Sequence, residues 1–485
     1  MNGTKRLSPV HLPVPSQEKS FKHHKRSGIW RIIQKAAPRF ELGIKDLQSS
    51  ALPLGHAAGQ EAFAPRSDRI SEGSGSLLII SNGHGEDLIA LRIIESLRNR
   101  CPHLAMKVLP LVGTGSSFQT TTAANIVQRV GPSAPLPSGG FSNQSLPGLL
   151  ADVFAGLPLL TWRQWRCVRQ QCAEVDAVLA VGDLLPLVMA WTSRRPFGFI
   201  GTPKSDYTWS SGPGHDLSDH YHALKGSEWD PWEWLLMRNQ RCRLVVTRDR
   251  LTARGLRRHG VRAEAPGNPM MDGLGPSTVH PSLARCRRIL LLCGSRIPEA
   301  EYNFSRLMRG MAPLPNDRPI AVLVALGSTP DLKTLGSALQ SQGFRSSPPP
   351  SEGLRAEACW LKGHVLVLLG NGQFNHWAPW AEVGVATAGT ATEQVVGLGI
   401  PALSLPGRGP QFTKGFARRQ SRLLGGAVCP CKSINQLNRR LQQLLNEPSL
   451  GVQMGLKGRQ RMGPSGGSDA IAKRILQELP VGHGY

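Results

Sequence analysis

Short apolar runs alternate along most of this chain with longer stretches whose apolar residues recur at helical spacing. Leu77-Leu-Ile-Ile80 is the first run, and Leu88-Ile-Ala-Leu-Arg-Ile-Ile-Glu-Ser-Leu97 follows it with the period of an amphipathic helix. Runs at 107–112, 175–181, 196–200 and 243–247 predict further strands, most of them closed by a glycine turn. A second series at 289–293, 320–325, 365–369, 383–386 and 402–405 repeats the pattern. Strands alternating with helices give a mostly parallel sheet. Two series therefore predict an α/β chain of two Rossmann-like domains, 76–275 and 285–450, facing a central cleft. Residues 348–353 read as a loop, and 465–480 as a last helix returning to the first domain.

Two glycine-punctuated segments stand out against this pattern. Ser81-Asn-Gly-His-Gly-Glu-Asp87 follows the first apolar run, and Gly389-Thr-Ala-Thr-Glu-Gln394 follows the run at 381–387. A strand, a tight glycine turn and a helix N-terminus make an anion-binding pocket, because free amides and the helix dipole converge there. His84, Asp87, Asp183 and Asp206 all fall at or just past strand ends, where ligands of parallel sheets sit.

Composition narrows the function. At 485 residues the chain is too long for one core. No stretch is apolar and long enough to predict a membrane-spanning helix, and the N-terminus lacks the apolar segment and cleavage site of a secretory signal. Nine cysteines, scattered and odd in number, suit a reduced cytoplasmic protein. Cys429-Pro-Cys431 and the pair Cys167 and Cys172 lack a second half with metal spacing, and no Asp-x-Asp stands at a suitable strand end, so no metal is expected. The formal charge is +24. Zinc-finger, RNP and helix-turn-helix signatures are missing, so nucleic acid is not the expected partner. An anionic membrane surface together with phosphorylated substrates accounts for the charge with fewer assumptions. Residues 1–75 read as a basic, disordered extension or an over-long start; the alternative is that Trp30-Arg-Ile-Ile33 forms a short lipid-touching helix. Leu146 to Leu160 is greasy, and Trp162, Arg163, Trp165, Arg166 and Arg169 follow it. That suits a lipid interface; a core helix with a solvated edge is the alternative. Trp229, Trp232 and Trp234 read as core or domain-interface packing.

Several fragments together resemble a known family. Leu291-Leu-Cys-Gly-Ser-Arg-Ile-Pro-Glu299, Gly267-Asn-Pro-Met-Met-Asp272, and Gly389-Thr-Ala-Thr392 followed by Gly399-Ile-Pro401 are similar in order and spacing to motifs of the lipid-A-disaccharide synthases and related bacterial proteins. Those are glycosyltransferases of the GT-B fold, and the resemblance spans roughly residues 76–450. Asn268 stands where the family has His. The resemblance implies an inverting, metal-independent hexosyltransferase that uses a UDP-sugar, possibly acylated glucosamine, and a lipid or glycolipid acceptor. It would work on the cytoplasmic face of the inner membrane, with no cofactor beyond its substrate.

The same resemblance assigns donor contacts to Gly294, Ser295, Arg296, Gly389 and Thr390. Arg296 can clamp phosphate in bidentate fashion; a surface ion pair is the alternative. The family's ribose-binding acid falls at Gln394, with Glu393 beside it, so both are candidates. Gln411 resembles a glutamine that touches the donor sugar, or is a plain turn residue. Gly83, Gly85 and Asp87 stand in the acceptor loop, where Asp87 could instead cap a helix. Transfer needs a base near the acceptor hydroxyl. Asp183 is the first candidate and His84 the second, with helix capping as the alternative for Asp183. A UDP-sugar epimerase or hydrolase of the same fold, or a catalytically silent nucleotide-sugar-binding membrane protein, remain as other readings.

Overall fold

The computed structural model describes residues 75–119, 127–134, 152–211, 216–311, 314, 318–327, 329–407 and 412–481, with only the backbone of His84. Residues 1–74, the segment 146–151 and Gln411 therefore lie outside the described residues.

The first sheet contains β1 Ser76–Ser81, β2 Ala105–Pro110, β3 Gln128–Arg129, β4 Ala177–Gly182, β5 Phe197–Gly201, β6 Cys242–Thr247 and β7 Ala263–Glu264. All pairs are parallel, in the order β3-β2-β1-β4-β5-β6-β7. Ile80 stands beside Leu109 on one side and Ala180 on the other. Every residue of β4 is buried, as expected where helices cover both faces of a parallel sheet. The order reverses between β1 and β4, and ligands of open α/β sheets bind at the carboxyl ends of such a pair. Here those ends carry Asn82-Gly83 and Gly182-Asp183.

The second sheet contains β8 Arg287–Leu292, β9 Ile320–Leu326, β10 Arg345–Ser347, β11 Ala358–Lys362, β12 Val365–Asn371, β13 Val383–Ala386, β14 Ala402–Ser404 and β15 Val428–Pro430. Its order is β10-β11-β12-β9-β8-β13-β14-β15. The edge pairs β10–β11 and β11–β12 are antiparallel and the rest parallel. Sequence periodicity misses β10 and β11: β10 is short and polar, and β11 is short. Here the reversal lies between β8 and β13, whose ends carry Gly294-Ser295-Arg296 and Thr387 to Gly389.

Helix His84–Arg100 buries Ile89, Ile93, Ile94 and Leu97 against the first sheet. Glu86 and Asp87 in its first turn, and Arg98 and Arg100 in its last, complement its dipole. The final helix, Gly467–Glu478, packs on this one: Ile471, Ala472, Ile475 and Leu479 join Leu77, Ile79 and Ile93 in one core. Arg100 pairs with Asp469 at 2.6 Å and Arg474 with Glu264 at 2.7 Å. Asp272, on the connection between the sheets, accepts the backbone N–H groups of Gly466, Gly467 and Ser468 at 2.5, 3.1 and 2.7 Å. The two crossings of the chain touch there: a Cβ on Gly267 would lie 2.6 Å from the Gly467 Cα, so neither glycine admits a side chain.

Side chains also tie one domain to the other. Arg422 of helix Lys414–Leu423 pairs with Asp219 of helix Leu217–Lys225, both buried. Arg419 of the same helix pairs with Glu228. The guanidinium of Arg461 lies 3.4 Å from the centre of the Tyr207 ring.

Candidate functional site

The carboxyl ends of both sheets open onto one cavity of about 820 Å³ between the domains. Gly83, Gly85, Glu86, Asp183, Thr202, Lys204 and Arg248 line it from the first domain. Gly389, Thr390, Glu393, Thr413, Phe416 and Gln420 line it from the second. The two glycine turns nearly meet: a Cβ on Gly85 would be 3.4 Å from the Thr390 Oγ1. Gly83 has φ 118° and Gly182 φ 137°, values that disfavour any side chain. A Cβ at Gly182 would also strike the Asn82 side chain at 2.7 Å. These two glycines let the ends of β1 and β4 close on each other.

Three helix N-termini point at this space. Helix Thr390–Gly397 begins at Gly389, whose carbonyl accepts the Gln420 amide at 3.0 Å. Helix Lys414–Leu423 is capped by the Thr413 hydroxyl, which accepts from the Phe416 N–H at 3.2 Å. Helix His84–Arg100 opens on the other wall. Free amides from both domains thus face one volume, the arrangement that holds a diphosphate.

Asp183 caps helix Leu184–Thr192, accepting the Leu185 N–H at 3.1 Å through Oδ1. Burial pushes its carboxyl up, while the Leu185 amide, nearby Lys204 and Asn82 pull it down. Glu86 lies beside it, its Oε1 accepting the Thr202 hydroxyl at 3.3 Å. Burial first, then Asp183 and Asp87, raise Glu86 to about 7 against the pull of its own backbone and Thr202. Lys204 is held by Glu233 at 2.5 Å and lies over the Trp229 ring at 5.0 Å.

The structure sorts the sequence candidates. Gly83, Gly85, Asp183, Gly389, Thr390 and Glu393 line the cavity together. His84 stands between two of them on the backbone. Gly294, Ser295 and Arg296 do not line it; they follow β8, the strand paired with β13. Thr387 donates its hydroxyl to the Cys293 carbonyl at 2.9 Å, and the Thr329 hydroxyl binds the Ser295 carbonyl. Burial lowers the Arg296 guanidinium from its usual range, and Glu299 opposes that shift. Two expectations need correction. Asp87 is buried and accepts the Ser81 hydroxyl, so it braces the end of β1 rather than facing an acceptor. Gln394 is buried and donates to the Met270 carbonyl at 2.8 Å, because its place on helix Thr390–Gly397 turns it towards the connection between the domains. Of that pair only Glu393 faces the cavity. It is held there by Arg248 at 2.7 Å.

Glu86, Lys204 and Arg248 escaped the sequence reading. Glu86 lay within the quoted glycine motif, and Arg248 directly follows an apolar strand, so position alone could have flagged both. Asp206, just past another strand end, serves the frame: it accepts the Glu228 N–H at 2.7 Å, and burial raises its carboxyl to about 7.

The first domain also carries an outward apolar face. Phe154 is 87% exposed, and Leu159, Trp162 and Trp165 on helix Leu157–Gln171 are 50%, 48% and 39% exposed. Helix Leu184–Thr192, with exposed Trp191, packs on that helix and on helix Pro231–Met237. The expectation for the second tryptophan cluster therefore holds only in part. Trp229 is buried with its edge on Phe199, and Trp234 stacks on His259, but Trp232 and its neighbour Leu235 face outward. Among the described residues no helix is long and apolar enough to cross a membrane.

No family model and no curated protein matches this sequence. Solved structures do match its architecture. CalG4, the calicheamicin glycosyltransferase, aligns over 84% of this chain and 100% of its own, at 14% identity and a TM-score of 0.55. The S. aureus MnaA–UDP co-structure aligns over 84% and 100%, at 13% identity and 0.52. Two parallel α/β domains closing on one cleft, matched over the whole of a glycosyltransferase, decide the fold. It is GT-B. In GT-B terms, Asp183 belongs to the N-terminal wall of the cleft and Gly389-Thr390 to the C-terminal wall.

Proposed function

We propose that this GT-B protein transfers a sugar from a UDP-sugar donor to a hydroxyl of a lipid or glycolipid acceptor. The observation that carries this reading is the meeting of the two strand-order reversals at one cavity. A carboxylate, Asp183, stands on one wall and the helix N-terminus at Gly389-Thr390 on the other. The diphosphate would rest on the amides at Gly389 and Thr390 with Arg296 beside it, and Glu393 would meet the ribose. Asp183 would take the acceptor proton as the new bond forms. The likeness to a glycosyltransferase and to a UDP-bound protein supports a nucleotide-sugar chemistry. The resemblance to the lipid-A-disaccharide synthases supports an acylated glucosamine donor.

One observation favours a second reading. Glu86 and Asp183 place two carboxyl groups on one wall. Epimerising a sugar carbon requires one group to remove a proton and another to return it, and such a pair could do both. Incubating UDP-sugars with the protein in deuterated water, without acceptor, separates the readings. Deuterium in the recovered sugar nucleotide would overturn transfer in favour of epimerisation. UDP release that requires an added lipid extract supports transfer.

The phosphate role of Arg296 has its own check. Arg296→Ala should weaken UDP binding by ~1.5–3 kcal/mol, the range for hydrogen bonds to charged groups. Calorimetry giving an unchanged affinity would remove Arg296 from the site.

A membrane partner follows from where the charge lies. The cavity is lined by Glu86, Asp183, Glu228 and Glu393 against Lys204, Arg248 and Arg419, so the excess of +24 is carried elsewhere. On the outer face, Arg163, Arg166 and Arg169 flank the exposed Leu159, Trp162 and Trp165. Arginine with interfacial tryptophan suits anionic headgroups. The protein should pellet with vesicles containing anionic lipid at low salt and be released by high salt. Trp162→Ala combined with Leu159→Ala should reduce pelleting. Complete retention in the supernatant at low salt would remove the argument for a membrane-borne acceptor.

A further inference from the structure

We infer that Glu86 is a second catalytic residue, which works as a neutral acid and brackets the acceptor hydroxyl together with ionised Asp183. The inference rests on the transfer reading above. Glu86 lies in the first turn of helix His84–Arg100, and its side chain reaches over the turn at the end of β4. A Cβ on Gly182 would come within 3.5 Å of the Glu86 Cγ. The Thr202 hydroxyl fixes one carboxyl oxygen from the end of β5, at 3.3 Å. Glu86 and Asp183 both line the cavity.

The charged groups around the pair divide its roles. Burial raises the Asp183 carboxyl as it does that of Glu86, but the Leu185 amide, Lys204 beyond β5, and Asn82 oppose it there. At Glu86 burial comes first and Asp183 and Asp87 add to it in keeping the proton on, against the pull of its own backbone and the Thr202 hydroxyl. Across the cavity Glu393 and Arg248 neutralise each other. Two carboxyl groups thus stand on one wall, with a cation beside Asp183.

A hydroxyl between such groups is oriented at both ends. Its oxygen accepts from the Glu86 O–H, and its own proton points at Asp183. In the transfer step the acceptor O–H bond breaks and its proton passes to the Asp183 carboxylate. The freed electron pair on oxygen forms the bond to the anomeric carbon. The bond from that carbon to the diphosphate oxygen breaks, and its pair leaves with UDP. Glu86 keeps its proton throughout. When Glu86 ionises it can only accept, and the orientation is lost. The rate should thus fall as pH rises through about 7, the value at which Glu86 loses its proton.

Two measurements on the full chain test this. Infrared titration needs no substrate: Glu86 and Asp206 should both contribute to the protonated carboxyl band that disappears near pH 7 in the parent, so part of that band should be lost in Glu86→Gln and all of it kept in Asp87→Asn. A band undiminished in Glu86→Gln overturns the inference. The second is the pH profile of UDP release from UDP-N-acetylglucosamine with a detergent-solubilised total lipid extract. Glu86→Ala should lower kcat about 10²-fold, the cost of a misoriented reactant, with little change in donor KM. Glu86→Gln can still donate at any pH, so it should recover part of that loss and lack the alkaline limb. A limb unchanged in Glu86→Gln would assign the titration to another group, His84 first, and overturn the role of Glu86 alone. Deuterium uptake into the donor without acceptor would instead sink the transfer reading, whatever the infrared result.

Discussion

Replacing Asp183 by Asn is expected to lower turnover about 10²–10⁴-fold, the worth of a general base, while leaving UDP affinity nearly unchanged. The structure makes this substitution a clean one. Asn keeps the side-chain oxygen that accepts the Leu185 N–H, so helix Leu184–Thr192 keeps its cap. It keeps the size of the side chain, so the turn at Gly182 need not move. It removes only the ability to take a proton. Burial raises the Asp183 carboxyl towards the working pH, which strengthens it as a base, and the opposing pull of Lys204 helps it stay ionised. Asp183 stands on the N-terminal wall, away from Gly389-Thr390, so donor binding should not depend on its charge. Turnover with a lipid extract and calorimetry with UDP report the two quantities separately. Near-parental turnover would transfer the role to His84. Loss of UDP binding or of folding would make Asp183 part of the frame alone.

Arg422→Met should destabilise the protein by about 3–5 kcal/mol, the cost of leaving one member of a buried ion pair unpaired. Arg422 and Asp219 are almost fully enclosed, at 2% and 5% exposure, and come from opposite domains. Methionine fills much of the volume but leaves the Asp219 carboxylate without its guanidinium. Adding Asp219→Leu should recover most of the loss, because a buried pair replaced by apolar side chains is often near neutral. Denaturant unfolding of the two variants and the parent measures both steps. A single variant as stable as the parent would show that the pair does not hold the domains together.

Much of the frame was legible in the chain because it is local. Leu77 to Ile80 and Ile289 to Cys293 are continuous apolar runs, and only doubly covered parallel strands need such runs. The glycines at 83 and 389 announced the turns, since a helix N-terminus cannot approach another backbone closely around a bulky side chain. The site's electrostatics were not legible. Arg248 meets Glu393, Arg422 meets Asp219 and Glu86 meets Asp183 across long separations in sequence, and no periodicity encodes which charges will be neighbours. The choice between Glu393 and Gln394 shows the limit well. The two are adjacent in sequence, but one turn of a helix sends the first into the cavity and the second to the Met270 carbonyl. Strands β10 and β11 were missed for the opposite reason: an antiparallel edge can be short, and β10 is polar as well, so neither carries a long pattern to read.

The return of the last helix has a consequence for how the protein is made. Ile471, Ala472, Ile475, Leu479 and Val481 belong to the same core as Leu77 and Ile79. Gly75 lies so close to Val481 that an added Cβ would be 2.3 Å from its carbonyl oxygen. The first sheet can assemble once Glu264 leaves the ribosome, but the face under helix His84–Arg100 stays only partly covered until roughly two hundred more residues have followed. At ~5–20 residues per second that wait is on the order of 10–40 s. The nascent first domain must pass that interval with part of that apolar face open. A chain that stalls before its last helix would be a ready client for chaperones and proteases, even though every strand of both sheets had already been synthesised.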